Sequence, residues 1–229
     1  MALRKIVLGF NDTPEARDAQ RLAGSLAGRE DSGVIAITSA SQDPARELRE
    51  AAEAERADLI VIGSSHRGTM GRVYPGSVGD HLLHHAHCAV AVAPRGYARG
   101  DHYGFGIAGV GFDGRPESQR ALALGRRLAA QLGARLRIVA VGGELEAKLE
   151  DAAAFARLPD AEGHVIEVDP VLREGDPAEV LADEGVELDL LVVGSRGHGA
   201  ILRTMLGSVG SHVIRTCPCP VMVVPRGDG

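Results

Sequence analysis

A chain of 229 residues has room for one large domain or two compact ones, and 45% hydrophobic with 24% charged residues excludes disordered, collagen-like and membrane-spanning classes. With 25 Lys and Arg against 31 Asp and Glu, the net charge of -6 opposes nucleic-acid binding. The 3% aromatic content, without Trp, leaves little to stack single-stranded bases. The two lysines, Lys5 and Lys148, adjoin no glycine loop, so no GxxxxGK[ST] phosphate loop can be drawn, and the three cysteines (Cys88, Cys217, Cys219) are too few for a disulfide framework.

Short β-branched runs alternate with Ala/Leu/Arg/Glu stretches of helical period, the pattern of βαβ units around a parallel sheet buried on both faces. A strand is predicted at Arg4 to Phe10, a helix from Pro14 to Ala27 and a strand from Val34 to Thr38. Asp43 and Pro44 supply an N-cap and first-turn proline for a helix reaching Arg56, and Asp58 to Gly63 is the next buried strand. A glycine-rich loop, a helix from Ser77 to His87 and a strand from Val90 to Ala93 follow. A linker-like stretch rich in Gly and Tyr, Tyr97 to Gly104, comes next. Gly104 to Gly109 matches GxGxxG but precedes its strand, so it is a poor dinucleotide fingerprint.

The order then repeats. Gly63 aligns with Gly194, and the register holds without a gap to Gly96 and Gly227, with 15 identities over 34 positions. GFNDTPEA (9–16) likewise aligns with GFDGRPES (111–118), which leaves the first copy 29 residues shorter. That shortfall matches one helix and one strand, predicted in the second copy at Glu144 to Arg157 and Val165 to Leu172. Losing a central strand would leave a hole, so the missing strand is expected at a sheet edge, and an unpaired edge invites a homodimer. The domains are placed at 1–97 and 104–229.

The chemistry concentrates in the segment from Leu190 to Pro225. A buried strand ends at Gly194, a loop passes Gly197 and Gly199, and a helix opens at Gly207-Ser208-Val209. Glycines admit an anion close to backbone N–H groups, and a helix N-terminus offers unpaired donors. The spacing G-x2-G-x9-G-[ST], met at Gly194, Gly197, Gly207 and Ser208, resembles the ATP-binding members of the universal stress protein family, as do GFDGRPES and CPCPVMVVPRG. The resemblance spans nearly the whole chain as a tandem pair.

It implies two Rossmann-like α/β domains of the adenine nucleotide alpha hydrolase-like kind, with parallel sheets of strand order 3-2-1-4-5, the first lacking its edge strand. The two would pack as an intramolecular pseudo-dimer through their last strands, Val90 to Ala93 and Val221 to Val224. It places Asp113 by the adenosine, Ala140 and Val141 at the adenine and ribose, and Gly194, Ser195, Gly197, Gly199, Gly207, Ser208 and Val209 around the phosphates of ATP, ADP or AMP. In the first copy His66 stands where the second has Gly197, and Asn11 where it has Asp113, so nucleotide is expected in the second copy, with weak or absent binding in the first.

The expected role is a cytoplasmic stress-response sensor or adaptor and not an enzyme. A slow nucleotide hydrolase, for which no base is found, and an interaction or chaperone-like module remain as alternatives. GSVG at 207–210 is not a nucleophile elbow. His81, His84, His85, His87 and Cys88 lack a completing carboxylate or cysteine pair, so no metal site is assigned, and Cys217-Pro218-Cys219-Pro220 reads as packing or turn.

Overall fold

The computed structural model describes residues 3–27, 33–38, 43–100, 104–160, 163–195 and 206–226. The elements run β1 (Lys5–Phe10), α1 (Pro14–Ala27), β2 (Gly33–Thr38), α2 (Pro44–Glu55), β3 (Leu59–Gly63), α3 (Gly76–His85) and β4 (Ala89–Ala93) in the first half. The second half holds β5 (Ile107–Gly111), α4 (Pro116–Leu132), β6 (Arg135–Val141), α5 (Glu146–Arg157), β7 (Val168–Arg173), α6 (Pro177–Glu184), β8 (Leu190–Gly194), α7 (Ser208–Thr216) and β9 (Val221–Val224). The α/β class is as expected. In detail the expected sheets of order 3-2-1-4-5 are not closed units: the last strands of the two halves adjoin, and all nine strands form one sheet of order β2-β1-β3-β4-β9-β8-β5-β6-β7. Every neighbouring pair is parallel except β4 and β9, which meet antiparallel, with Val90 opposite Val223 and Val92 opposite Val221.

The central strands are apolar throughout because helices cover both faces: β4 and β9 are buried along their whole length. Local chemistry sets the helix ends. The Asp43 carboxylate accepts the Arg46 N–H at 3.1 Å to cap α2, and Asp176 accepts the N–H groups of Ala178 and Glu179 to cap α6. Gly133, at φ 67°, ends α4 in the left-handed conformation that a glycine adopts without strain. The expected strand at Val165 begins only at Val168, and Glu144 and Leu145 form a 3-10 turn ahead of α5.

The two halves share devices that the residue patterns did not show. Asp58 accepts the N–H groups of Arg4 and Lys5, and Asp189 those of Gly106 and Ile107, so each carboxylate ties a first strand to the strand beside it. Gly106 thus serves a strand start, and a Cβ on Gly109 would meet Leu188 at 2.3 Å, so two of the three glycines of this stretch have structural work without a ligand. The linker-like stretch opens with a 3-10 turn at Tyr97–Arg99, anchored by buried Asp18, which accepts the N–H groups of Gly96 and Ala98.

On β6, Arg137 reaches Glu187 just after α6, Asp169 of β7 and Glu184 of α6, and these three carboxylates hold its guanidinium well above its ordinary pKa. The three cysteines are free and buried. Burial pushes the Cys88 thiol up to about 12 and raises Cys219 as well, while a hydrogen bond from Cys219 lowers its neighbour Cys217. Iodoacetamide at about pH 8 is therefore expected to leave the folded chain unmodified and to label all three sites in denaturant, since only exposed thiolates alkylate. Mass spectrometry reads this directly, and rapid labelling of folded protein would contradict the burial.

Candidate functional site

Each half carries a cleft where the strands' carboxyl ends meet the following helices, the place where open α/β sheets bind ligands. The second-half cleft has a volume near 260 Å³. Asp113 sits in the turn after β5, Val141 ends β6, Gly194 ends β8, and Val209 and Gly210 belong to the first turn of α7. The structure thus brings together Asp113, Val141, Gly194 and Val209 from distant parts of the sequence. Ala140 is fully buried in the core, because strand alternation turns its side chain away from Val141's face. The Ser195 N–H donates to the Val224 carbonyl, and the Ser195 carbonyl accepts the Gly207 N–H, so these two residues fasten the loop ends to the sheet. Gly207 precedes α7 and Ser208 is exposed in its first turn. Gly197 and Gly199 lie outside the described residues.

Three charged side chains in this cleft were not singled out by motif: Arg115, Glu144 and Lys148. The Asp113 carboxylate accepts the Arg115 N–H at 3.0 Å and lies 3.8 Å from the Arg115 Nε. Lys148, on α5, stretches over Gly114, which has φ 76°. A Cβ there would stand 2.7 Å from Lys148 Cδ, so the lysine lies flat only because that residue is glycine. Spacing alone could not reveal this contact, since Gly114 and Lys148 belong to different elements. The cleft therefore presents two carboxylates, Asp113 and Glu144, beside two cations, an apolar wall including Val139, Val141 and Leu181, and a helix N-terminus. A nucleotide needs acceptors for ribose hydroxyls, an apolar surface for the base and positive charge for phosphate, and these residues fit it.

The first-half cleft is larger, near 360 Å³, yet no Lys or Arg lines it among the described residues. Asn11 takes the place of Asp113 and accepts from the Thr13 hydroxyl. The loop after β3 is knotted onto itself and its surroundings: Ser65 N–H donates to Tyr74 O, Gly68 N–H to Ser65 O, Gly71 N–H to Arg95 O and Val73 N–H to Cys217 O. Tyr74 N–H goes to Ser64 Oγ. These five loop N–H groups are thereby engaged within the protein. The exposed His66 lies on the rim of this cleft.

Gly63 and Gly194, the first glycines of the two matched loops, have a role that the ligand argument did not foresee. A Cβ on Gly63 would come within 2.0 Å of Glu15 O, and one on Gly194 within 2.8 Å of the Glu117 backbone, so each lets a strand end pass under the first turn of a helix. The same helical glutamates pair with arginines after the last strands, Glu15 with Arg95 and Glu117 with Arg226. The histidine cluster reads as surface stacking: His81 and His85 meet edge to face at 4.6 Å, and burial with neighbouring histidines lowers the His85 pKa. Among the described residues no group of three His, Cys, Asp or Glu side chains is placed to hold a metal.

Comparison with known proteins agrees with this architecture. The model of the Universal stress protein family matches residues 37–94 and 140–225, more than half of the chain. A universal stress protein of Mycolicibacterium smegmatis is 29% identical over 91% of this chain and 75% of its own length. One from Mycobacterium tuberculosis is 32% identical over 73% of this chain, which matches 61% of that relative's length. The crystal structure of a universal stress protein from Archaeoglobus fulgidus superposes over 98% of this chain and 99% of that one, with a TM-score of 0.70 at 22% identity, a likeness of fold. With the family model, the repeated loops and the sheet topology in agreement, the chain belongs to the universal stress protein family.

Proposed function

We propose that the second half, residues 104–229, is a nucleotide-binding domain for ATP, ADP or AMP, and that the first half, residues 1–97, is its shortened partner without nucleotide. The observation that carries this reading is the difference between the two clefts: Asp113, Arg115 and Lys148 line one, while Asn11 stands in the other and no Lys or Arg lines it among the described residues. In this reading Asp113 receives ribose hydroxyls, Val141 and the backbone near Ala140 flank the base, and Ser195, Ser208 and the loop glycines Gly197, Gly199 and Gly207 meet the phosphates. The chain then acts as a cytoplasmic sensor or adaptor that reports nucleotide in a stress response, without enzymatic turnover.

Titration of ATP, ADP and AMP by calorimetry tests the proposal. Asp113→Ala is expected to weaken binding about tenfold or more, the loss of roughly one charge-assisted hydrogen bond. Asn11→Ala should leave the affinity of the wild type unchanged. No heat with any of the three nucleotides, or an equal loss from Asn11→Ala, would overturn the reading. Multiple-turnover release of ADP from ATP would overturn the nonenzymatic part alone.

A further inference from the structure

β2 and β6 are equivalent second strands. Ile6 pairs with Val34 as Ala108 pairs with Leu136, so Val34, Ala36 and Thr38 correspond to Leu136, Ile138 and Ala140. In the second half those three residues are fully buried in the core cluster that includes Leu149, Ala152 and Ala153 of α5, and the strand's outer edge is paired by β7. The first half has neither element, and its three residues are exposed, Val34 at 41%. The strand nevertheless stays apolar: Gly33–Thr38 reads GVIAIT, without a charge or a proline.

Its open edge has a defined pattern. The Gly33 N–H donates inward to Arg4 O, while the Leu136 N–H of the equivalent strand donates outward to Glu167 O. By strand alternation Val34, Ala36 and Thr38 point their N–H and C=O groups away from β1. The opposite edge of the sheet is guarded. β7 carries Pro170, which has no N–H, together with Asp169 and Arg173, both held in side-chain ion pairs. Proteins normally blunt an exposed edge in such ways, and the described residues of β2, Gly33–Thr38, carry none of them.

We propose that β2 is an interface for a second copy of this chain, pairing antiparallel with the partner's β2 about a two-fold axis at Ala36. This register is self-complementary. Ala36 faces its own copy, Val34 faces Thr38, and Ile35 faces Ile37, so each opposed pair is uncharged and most are β-branched, the combination that stabilises cross-strand neighbours. About six backbone hydrogen bonds close across the axis. Because β7 blocks the other edge, the association stops at two chains, a closed isologous dimer with one continuous sheet.

Multi-angle light scattering across a concentration series should give twice the chain mass for the wild type. Ala36→Pro removes only an outward N–H, so the fold is retained, and it should return the mass to that of one chain; Val34→Lys should do the same, with both variants keeping the wild-type circular dichroism. Ala36→Cys, joined by a short bis-maleimide, should give a covalent dimer, whereas Val186→Cys, at a position 74% exposed elsewhere, should not. A wild type of single-chain mass throughout would overturn the proposal. So would a double mass that survives both edge variants without cross-linking through position 36.

Discussion

Gly63→Ala is expected to destabilise the chain by about 3 kcal/mol or more, the upper range for forcing an atom into a filled site, and to lower the melting temperature by roughly 10 °C. The new Cβ would sit 2.0 Å from Glu15 O, a backbone atom that cannot swing aside as a side chain could. Relief requires α1 to lift from β3, and α1 buries Leu22, Leu26 and three alanines in the core beneath it. The matching substitution Gly194→Ala meets the Glu117 backbone at 2.8 Å and should cost less. A control of opposite sign lies in the same helix. Gly24 has nothing within 4 Å of its Cβ position, so Gly24→Ala should stabilise α1 by about 0.5–1 kcal/mol. Thermal unfolding of the three variants checks the order, and a neutral Gly63→Ala would show that this glycine is not a packing requirement.

Asp18→Ala is the second large effect, at about 3 kcal/mol. The carboxylate is 3% exposed and accepts two backbone N–H groups, from Gly96 at 2.7 Å and Ala98 at 2.8 Å. Hydrogen bonds to a charged group contribute about 1.5–3 kcal/mol each, and the alanine leaves both donors without their acceptor. The damage is local in kind. These donors belong to the turn that leads from β4 toward the second half, so cleavage by trypsin after Arg99 should become faster in Asp18→Ala than in the wild type. Unchanged stability together with an unchanged cleavage rate would contradict the anchoring role.

Much of the fold was legible because the chain contains its own comparison. The matched loops at Gly63 and Gly194 and the 29-residue shortfall point to an edge deletion, and the sheet ends on β2 where the second half continues to β7. That the last strands of the two halves meet was implied by family resemblance, since two apolar strands do not announce which neighbour they take; their antiparallel sense came only from the structure. Other features were not legible at all. Asp18, Asp58 and Asp189 act on backbone groups far away in sequence, and Arg137 gathers carboxylates from β7, α6 and the turn after it. None of these contacts has a period or spacing that a sequence pattern could register. The same holds for Lys148, whose place in the cleft depends on a glycine 34 positions earlier. Glycine carried an ambiguity of its own: Gly194 satisfied the G-x2-G-x9-G-[ST] motif and Gly63 is its counterpart in the first copy, and the structure gives each of them a packing reason that operates with or without a ligand.

The central claim, one nucleotide site in a chain built of two similar halves, comes down to stoichiometry. Isothermal titration of ATP into the wild-type chain, beside Gly207→Val, measures it. Gly207 has φ −62°, which any residue adopts, so the valine does not strain the backbone dihedral, and circular dichroism of the variant checks that the fold is kept. The account predicts one ATP per chain, with binding lost in the variant. Two ATP per chain, or one that Gly207→Val leaves intact, would contradict it.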